Sequence, residues 1–175
     1  MHRADHMREG GFSLLELVIV SAIIATFAAI AVPRYGSAAG RYQLDLAARR
    51  IAADLAYAQA VARQRSGLQS VLFEISDERY TLQGLEDMDR PDQGYVVTLS
   101  DSRYRADLIS ASFQNVNGYV STSRISFDMW GRPQCGEPSN AVPLAGLASG
   151  AVVVKVGDRS RTVAIAPVTG KVSIQ

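Results

Sequence analysis

Gly11-Phe12-Ser13-Leu14-Leu15-Glu16 opens a run that continues as Leu17-Val18-Ile19-Val20-Ser21-Ala22-Ile23-Ile24-Ala25-Thr26-Phe27-Ala28-Ala29-Ile30-Ala31-Val32. Between Phe12 and Val32 the single ionisable side chain is Glu16. As a helix rising about 1.5 Å per residue, the stretch would be roughly 31 Å long, close to the ~30 Å hydrocarbon thickness of a bilayer. Leu, Ile, Val and Phe at this density predict a membrane-spanning helix. The carboxylate is out of place there. An acidic group inside such a segment costs about 2.5–3.5 kcal/mol on insertion scales, so it calls for a partner.

A polar leader, residues 1–11, precedes the run and ends in Glu9-Gly10-Gly11. An ordinary secretory signal places its small residues after the apolar stretch; here they come before it. Cleavage after Gly11 would remove only the leader and leave the apolar helix with a new amino terminus at Phe12. Glu16 lies four residues on, one helical turn away and on the same face. In the leader, Arg3 and Arg8 are balanced by Asp5 and Glu9. A start at Met7 rather than Met1 would give a five-residue leader carrying Arg8 and its own amine, and Met7 is the expected start. The other reading of the run is a plain signal anchor with a stray Glu.

The stretch from Gly11 through Ile30 resembles the class III signal of type IV pilins and pseudopilins, with Gly, an apolar residue, Ser, Glu and a long uncharged run in fixed order. The resemblance implies cleavage between Gly11 and Phe12 by a prepilin peptidase and N-methylation of Phe12. It also implies that Glu16 pairs with the N-terminal amine of a neighbouring subunit during filament assembly. Two opposite charges that shield each other away from water would account for a carboxylate in lipid. The implied location is the bacterial inner membrane, single-pass, with the C-terminal domain in the periplasm and later in a periplasmic or surface filament.

The composition narrows the remaining chemistry. The chain has 175 residues, enough for one soluble domain beyond the apolar segment, and its net charge of +1 gives no global argument in favour of a polyanionic partner. Its histidines, His2 and His6, both lie in the leader, and its one cysteine, Cys135, excludes an intrachain disulfide. Without histidine in the mature chain, the common zinc spacings and the Ser-His-Asp or Cys-His pairings cannot be built. Neither a phosphate-cradling Gly-Lys-Ser/Thr nor a dinucleotide fingerprint occurs. No enzymatic activity, cofactor or metal site is expected.

Along the chain, Pro33 predicts a kink where the helix would leave the membrane, loosened further by Gly36 and Gly40. Leu44, Ala48, Ile51, Leu55, Ala58 and Ala62 then form a helical stripe, with Arg41, Asp45, Arg49, Asp54 and Arg63 largely off it. Ser66-Gly67 reads as the stop. Strand patterns follow over 71–75, 79–82, 95–99, 106–113, 124–128, 151–156, 161–166 and 171–174. Residues 84–94 read as an acidic surface loop, Asn115-Val116-Asn117-Gly118 as a turn, and 134–150, around Cys135, as loop.

The expected fold is α+β and pilin-like, a long N-terminal helix packed on a C-terminal antiparallel β-sheet or sandwich. The expected divisions are a leader (1–11), a transmembrane or filament-core helix (12–33), its amphipathic continuation (34–66) and a β domain (67–175).

Ile125-Ser126-Phe127-Asp128-Met129-Trp130-Gly131 and the C-terminal Val163 to Val172, ending Thr169-Gly170-Lys171-Val172, look like the GspH/FimT family of minor pseudopilins and minor pilins. The resemblance implies a subunit near the tip of a short filament, with other minor and major pilins or pseudopilins, the prepilin peptidase and the inner membrane as partners. Some members of that family bind DNA through a C-terminal Gly-Arg-x-Arg motif. The corresponding piece here reads Gly170-Lys171-Val172-Ser173, with neither arginine. Arg159, Arg161 and Lys171 could form a weak basic patch, diluted by Asp158, so a DNA receptor is the alternative and DNA is not the expected partner. A membrane-anchored binding domain that never polymerises is a third reading.

Overall fold

Helix α1, Leu14–Arg65, begins one residue after Ser13, whose carbonyl accepts the Leu17 amide at 3.1 Å. Acidic Glu16 sits in its first turn and basic Arg63 and Arg65 in its last, each at the end where the helix dipole favours its charge. The computed structural model describes residues 13–87, 90–136 and 143–175, the stretch 30–38 by its backbone only. The chain divides into two units, Met1–Ala39 and Gly40–Gln175. Pro33, where a kink is expected, lies inside α1, whose helical assignment runs on through it.

In the second unit the helical stripe is buried as its spacing predicts: Leu44, Ala48, Ile51, Leu55, Ala58 and Ala62, joined by Ala47 and Val61. Four of these eight are alanine, so a sheet can approach the helix closely. The helix ends in paired reverse bonds, Ser66 N–H to Arg63 O at 3.3 Å and Gly67 N–H to Ala62 O at 3.1 Å. Ser66, not the glycine, takes the left-handed position, at φ 49°.

The strands are β1 (Gln69–Glu74), β2 (Arg79–Glu86), β3 (Gly94–Thr98), β4 (Asp107–Asn115), β5 (Val120–Ser121), β6 (Arg124–Phe127), β7 (Pro133–Cys135), β8 (Ala145–Val156), β9 (Arg159–Ile165) and β10 (Val172–Ile174). All pairings among them are antiparallel, in the order β10-β9-β8-β7-β6-β1-β2-β3, with β4 beside β8 and β5 beside β4. Strand β8 makes the sheet curl. Its first residues, Ala145 and Gly146, pair with β7, and beyond them it lies between β4 and β9. The β4–β8 ladder shifts register between Leu108 and Ser110 and again between Gln114 and Asn115.

This is the α+β, pilin-like layout, a helix followed by an antiparallel curled sheet. Two expectations need correction. The stretch 134–150 is not all loop: it holds most of β7 and the first half of β8, where Ala145-Gly146-Leu147-Ala148-Ser149-Gly150, small but for Leu147, carries little strand signal. Strand β2 likewise runs on to Glu86, into the expected acidic loop.

Buried Phe73 on β1 links the two parts of the sheet, its ring 5.5 Å from Tyr80 on β2 and 5.6 Å from Phe113 on β4. Buried hydroxyls are paired as well: Ser70 and Ser126 meet at 2.8 Å across β1 and β6. Asn115 organises its turn, accepting the Asn117 and Tyr119 amides at 3.0 Å each and donating to the Cys135 carbonyl at 3.2 Å.

Candidate functional site

In the first unit, residues 13–29 are exposed on every side of the helix. Leu14 is 80% exposed and Phe27 70%, and Leu17, Val18 and Ile24 are each more than half exposed. A surface this apolar has no stable place in water, so it must be covered by lipid or by protein. Its hydroxyls are already satisfied within the helix. Ser21 donates to Leu17 O at 2.7 Å and Thr26 to Ile23 O at 2.7 Å, which leaves Glu16 as the polar group still seeking a partner along 14–29. Among the described residues no helix is long and apolar enough to cross a membrane. Gly11, Phe12 and the leader 1–11 lie outside the described residues.

In the second unit, Arg159 and Arg161 of β9 line one cavity together with Ser160 and the helical residues Arg41 and Leu44. Arg161 reaches the Asp45 carboxylate at 3.8 Å, and Asp45 also takes Arg49 at 3.1 Å. Lys171 is elsewhere. Its carbonyl accepts the Ala166 amide, just past the opposite end of β9, so the third cation of the expected patch does not join the other two.

Residues 6–32 match the family model of the prokaryotic N-terminal methylation motif. The chain carries the methylation signal of type IV pilins. The motif spans the expected cleavage point, Gly11-Phe12, and Glu16, and ends at Val32. No curated protein and no solved structure matches the chain.

Outside the motif, two residues do structural work that sequence reasoning missed. Gln59 is the first. Its side-chain amide donates to Gly131 O at 2.7 Å and to Thr169 O at 2.8 Å, tying the β6–β7 turn to the turn before β10. The two pieces that looked like GspH/FimT, Phe127 to Gly131 and Thr169 to Val172, thus meet at one helical side chain. Both turns need glycine. Gly131 (φ +78°) has room for no more than Arg63 leaves it, and a Cβ on Gly170 (φ +67°) would lie 2.6 Å from Gln59 Nε2. The Asp128 carboxylate braces the first turn, accepting the Trp130 and Arg132 amides at 2.9 and 2.8 Å. Their bonds to partners far along the chain are invisible to any local pattern.

Asp54 is the second and a correction, since its spacing placed it off the buried stripe. It is 5% exposed. It accepts from Tyr80 at 2.6 Å, Tyr95 at 2.9 Å and Arg50 at 2.9 Å, so its burial is fully compensated. Burial, reinforced by Asp54, pushes the Tyr80 hydroxyl well above its ordinary range and Tyr95 up to about 12. Burial alone would lower the Arg50 guanidinium, but the Asp54 charge reverses this and holds it higher than usual. Cys135 is buried too, and desolvation raises its thiol.

Proposed function

We propose that this chain is a minor pseudopilin or minor pilin of the GspH/FimT kind, a structural subunit and not an enzyme. In this reading a prepilin peptidase cuts between Gly11 and Phe12 and Phe12 is methylated. The subunit waits in the bacterial inner membrane with its second unit in the periplasm. It then joins other pilins or pseudopilins near the tip of a type II secretion pseudopilus or type IV pilus and supports secretion or pilus assembly.

The observation that carries the reading is the methylation motif over 6–32, with Glu16 in the first turn of a helix that is otherwise apolar, and exposed, from residue 14 to residue 29. Burying that surface in a filament core is favourable. Glu16 can enter it only if a cation meets it, and the freed amine of a neighbour at Phe12 supplies one. The narrower family assignment rests on the resemblance of Phe127–Gly131 and Thr169–Val172, two pieces whose turns Gln59 ties together. A DNA-receptor role has less behind it, because Lys171 stands apart from Arg159 and Arg161.

Mass spectrometry of the mature N-terminus tests the reading. A methylated Phe12 is the expected product, and a chain that keeps residues 1–11 in cells possessing the peptidase sinks it.

A further inference from the structure

One end of the second unit changes character on two elements at once. Along β9, Val163 and Ile165 are buried, whereas Arg159 and Arg161, at the same two-residue alternation, lie beyond the core. On α1, Leu44 is buried and Arg41, one turn earlier, is exposed. The core therefore stops, and arginines begin, on both walls of one cavity of about 410 Å³, which Ser160 also lines. Two carboxylates are near. Asp45 faces Arg161 and Arg49, and Asp158 lies in the turn joining β8 to β9.

We propose that the cavity lined by Arg41, Arg159, Ser160 and Arg161 binds the phosphate group of an anionic phospholipid. Guanidinium forks suit phosphate oxygens, and a phosphate entering here would compete with the partners that Arg159 and Arg161 already hold. A lipid source is favoured over free phosphate because Arg41 follows the apolar run, ending at Val32, by only a short stretch of chain. Basic side chains just past a membrane segment are drawn to anionic headgroups. The cavity would hold the subunit's domain against the membrane before assembly. The proposal rests on the reading of the chain as membrane-anchored.

The test uses the full chain in neutral-detergent micelles, titrated calorimetrically with phosphatidylglycerol and, separately, phosphatidylcholine. Phosphatidylglycerol should bind more tightly. Arg159→Gln and Arg161→Gln should each weaken it about fivefold, Asp45→Asn should strengthen it, and Lys171→Gln should leave it unchanged. Undiminished binding by a folded Arg41→Gln/Arg159→Gln/Arg161→Gln variant overturns the proposal, and so does equal binding of the two lipids. If the triple variant does not fold, Asp45→Asn decides, and no gain in affinity there overturns it. Inorganic phosphate binding as tightly as the lipid overturns the lipid source, as does duplex DNA binding in its place. The titration needs no processing in cells, so its failure is separable from a failure of the anchoring reading.

Discussion

The hydroxyl of Tyr80, on β2, donates to the Asp54 carboxylate, on α1, across 2.6 Å. With Tyr95 and Arg50 on the same carboxylate, this is the polar lock between helix and sheet. Asp54→Ala would leave two buried hydroxyls and a guanidinium without their acceptor. The expected cost is about 3 kcal/mol, the low end for breaking a buried pair because Arg50 keeps water on one side. Tyr95→Phe should cost about 1 kcal/mol. Denaturant unfolding of the variants, at equal m-value, checks both.

The same tyrosines predict an alkaline limit. Tyr95 holds its proton up to about 12 in the folded chain, against an ordinary 10.0, and Tyr80 is also raised. The unfolded chain releases these protons first, so their stabilising effect is complete below about pH 10 and drains away as pH climbs towards 12. Melting temperature measured between pH 9 and 12 should fall in that window. Replacing both tyrosines by Phe should flatten the fall while lowering the plateau, and an unchanged slope would contradict the assignment.

Gln59 and Gly170 form a coupled pair. Gly170→Ala puts a methyl 2.6 Å from the amide nitrogen of Gln59 and forces alanine to a φ of +67°. A loss of about 1–2 kcal/mol is expected from the backbone alone, with more from the displaced amide. Gln59→Ala removes both cross-turn bonds, so Gly170→Ala added to it should cost less than it does alone. A double-mutant cycle with purely additive costs would show that the latch carries no energy.

Ser66 holds a left-handed conformation that glycine adopts freely. Ser66→Gly should raise stability by up to about 1 kcal/mol, since no side-chain bond of Ser66 is broken and the capping bonds stay. A melting temperature that falls instead would mean the serine side chain contributes something the backbone geometry hides.

Glu16→Ala should abolish or sharply reduce incorporation into filaments while leaving cleavage at Phe12 intact, because the carboxylate acts after processing. Immunoblotting of sheared filaments against total membrane protein reads the ratio. Normal incorporation would remove the charge-pairing idea.

Much of the architecture could be read from local pattern. The stripe from Leu44 to Ala62 declares a helix with one buried face, and alternation in Ile125-Ser126-Phe127 declares a strand. The motif at Gly11 to Glu16 is legible because its chemistry depends on neighbours along the chain. What escaped depends on neighbours in space. Asp54 is buried because Tyr80 and Tyr95 reach it, and Gln59 matters because Gly131 and Thr169 do. The start of β8, small residues but for Leu147, is a strand only because β7 and β4 pair with it. Arg41 joins Arg159 and Arg161 only once β9 folds alongside the helix.

Cys135 is 1% exposed, and its sulfur donates to the Phe113 carbonyl at 3.0 Å. Its thiol is therefore shielded from maleimides and oxidants, and the outer face of the second unit is silent to cysteine chemistry. A single thiol introduced at exposed Trp130 or Val168 would report on its own surroundings without background. Bifunctional crosslinkers anchored there could identify the molecules standing beside this subunit in living cells.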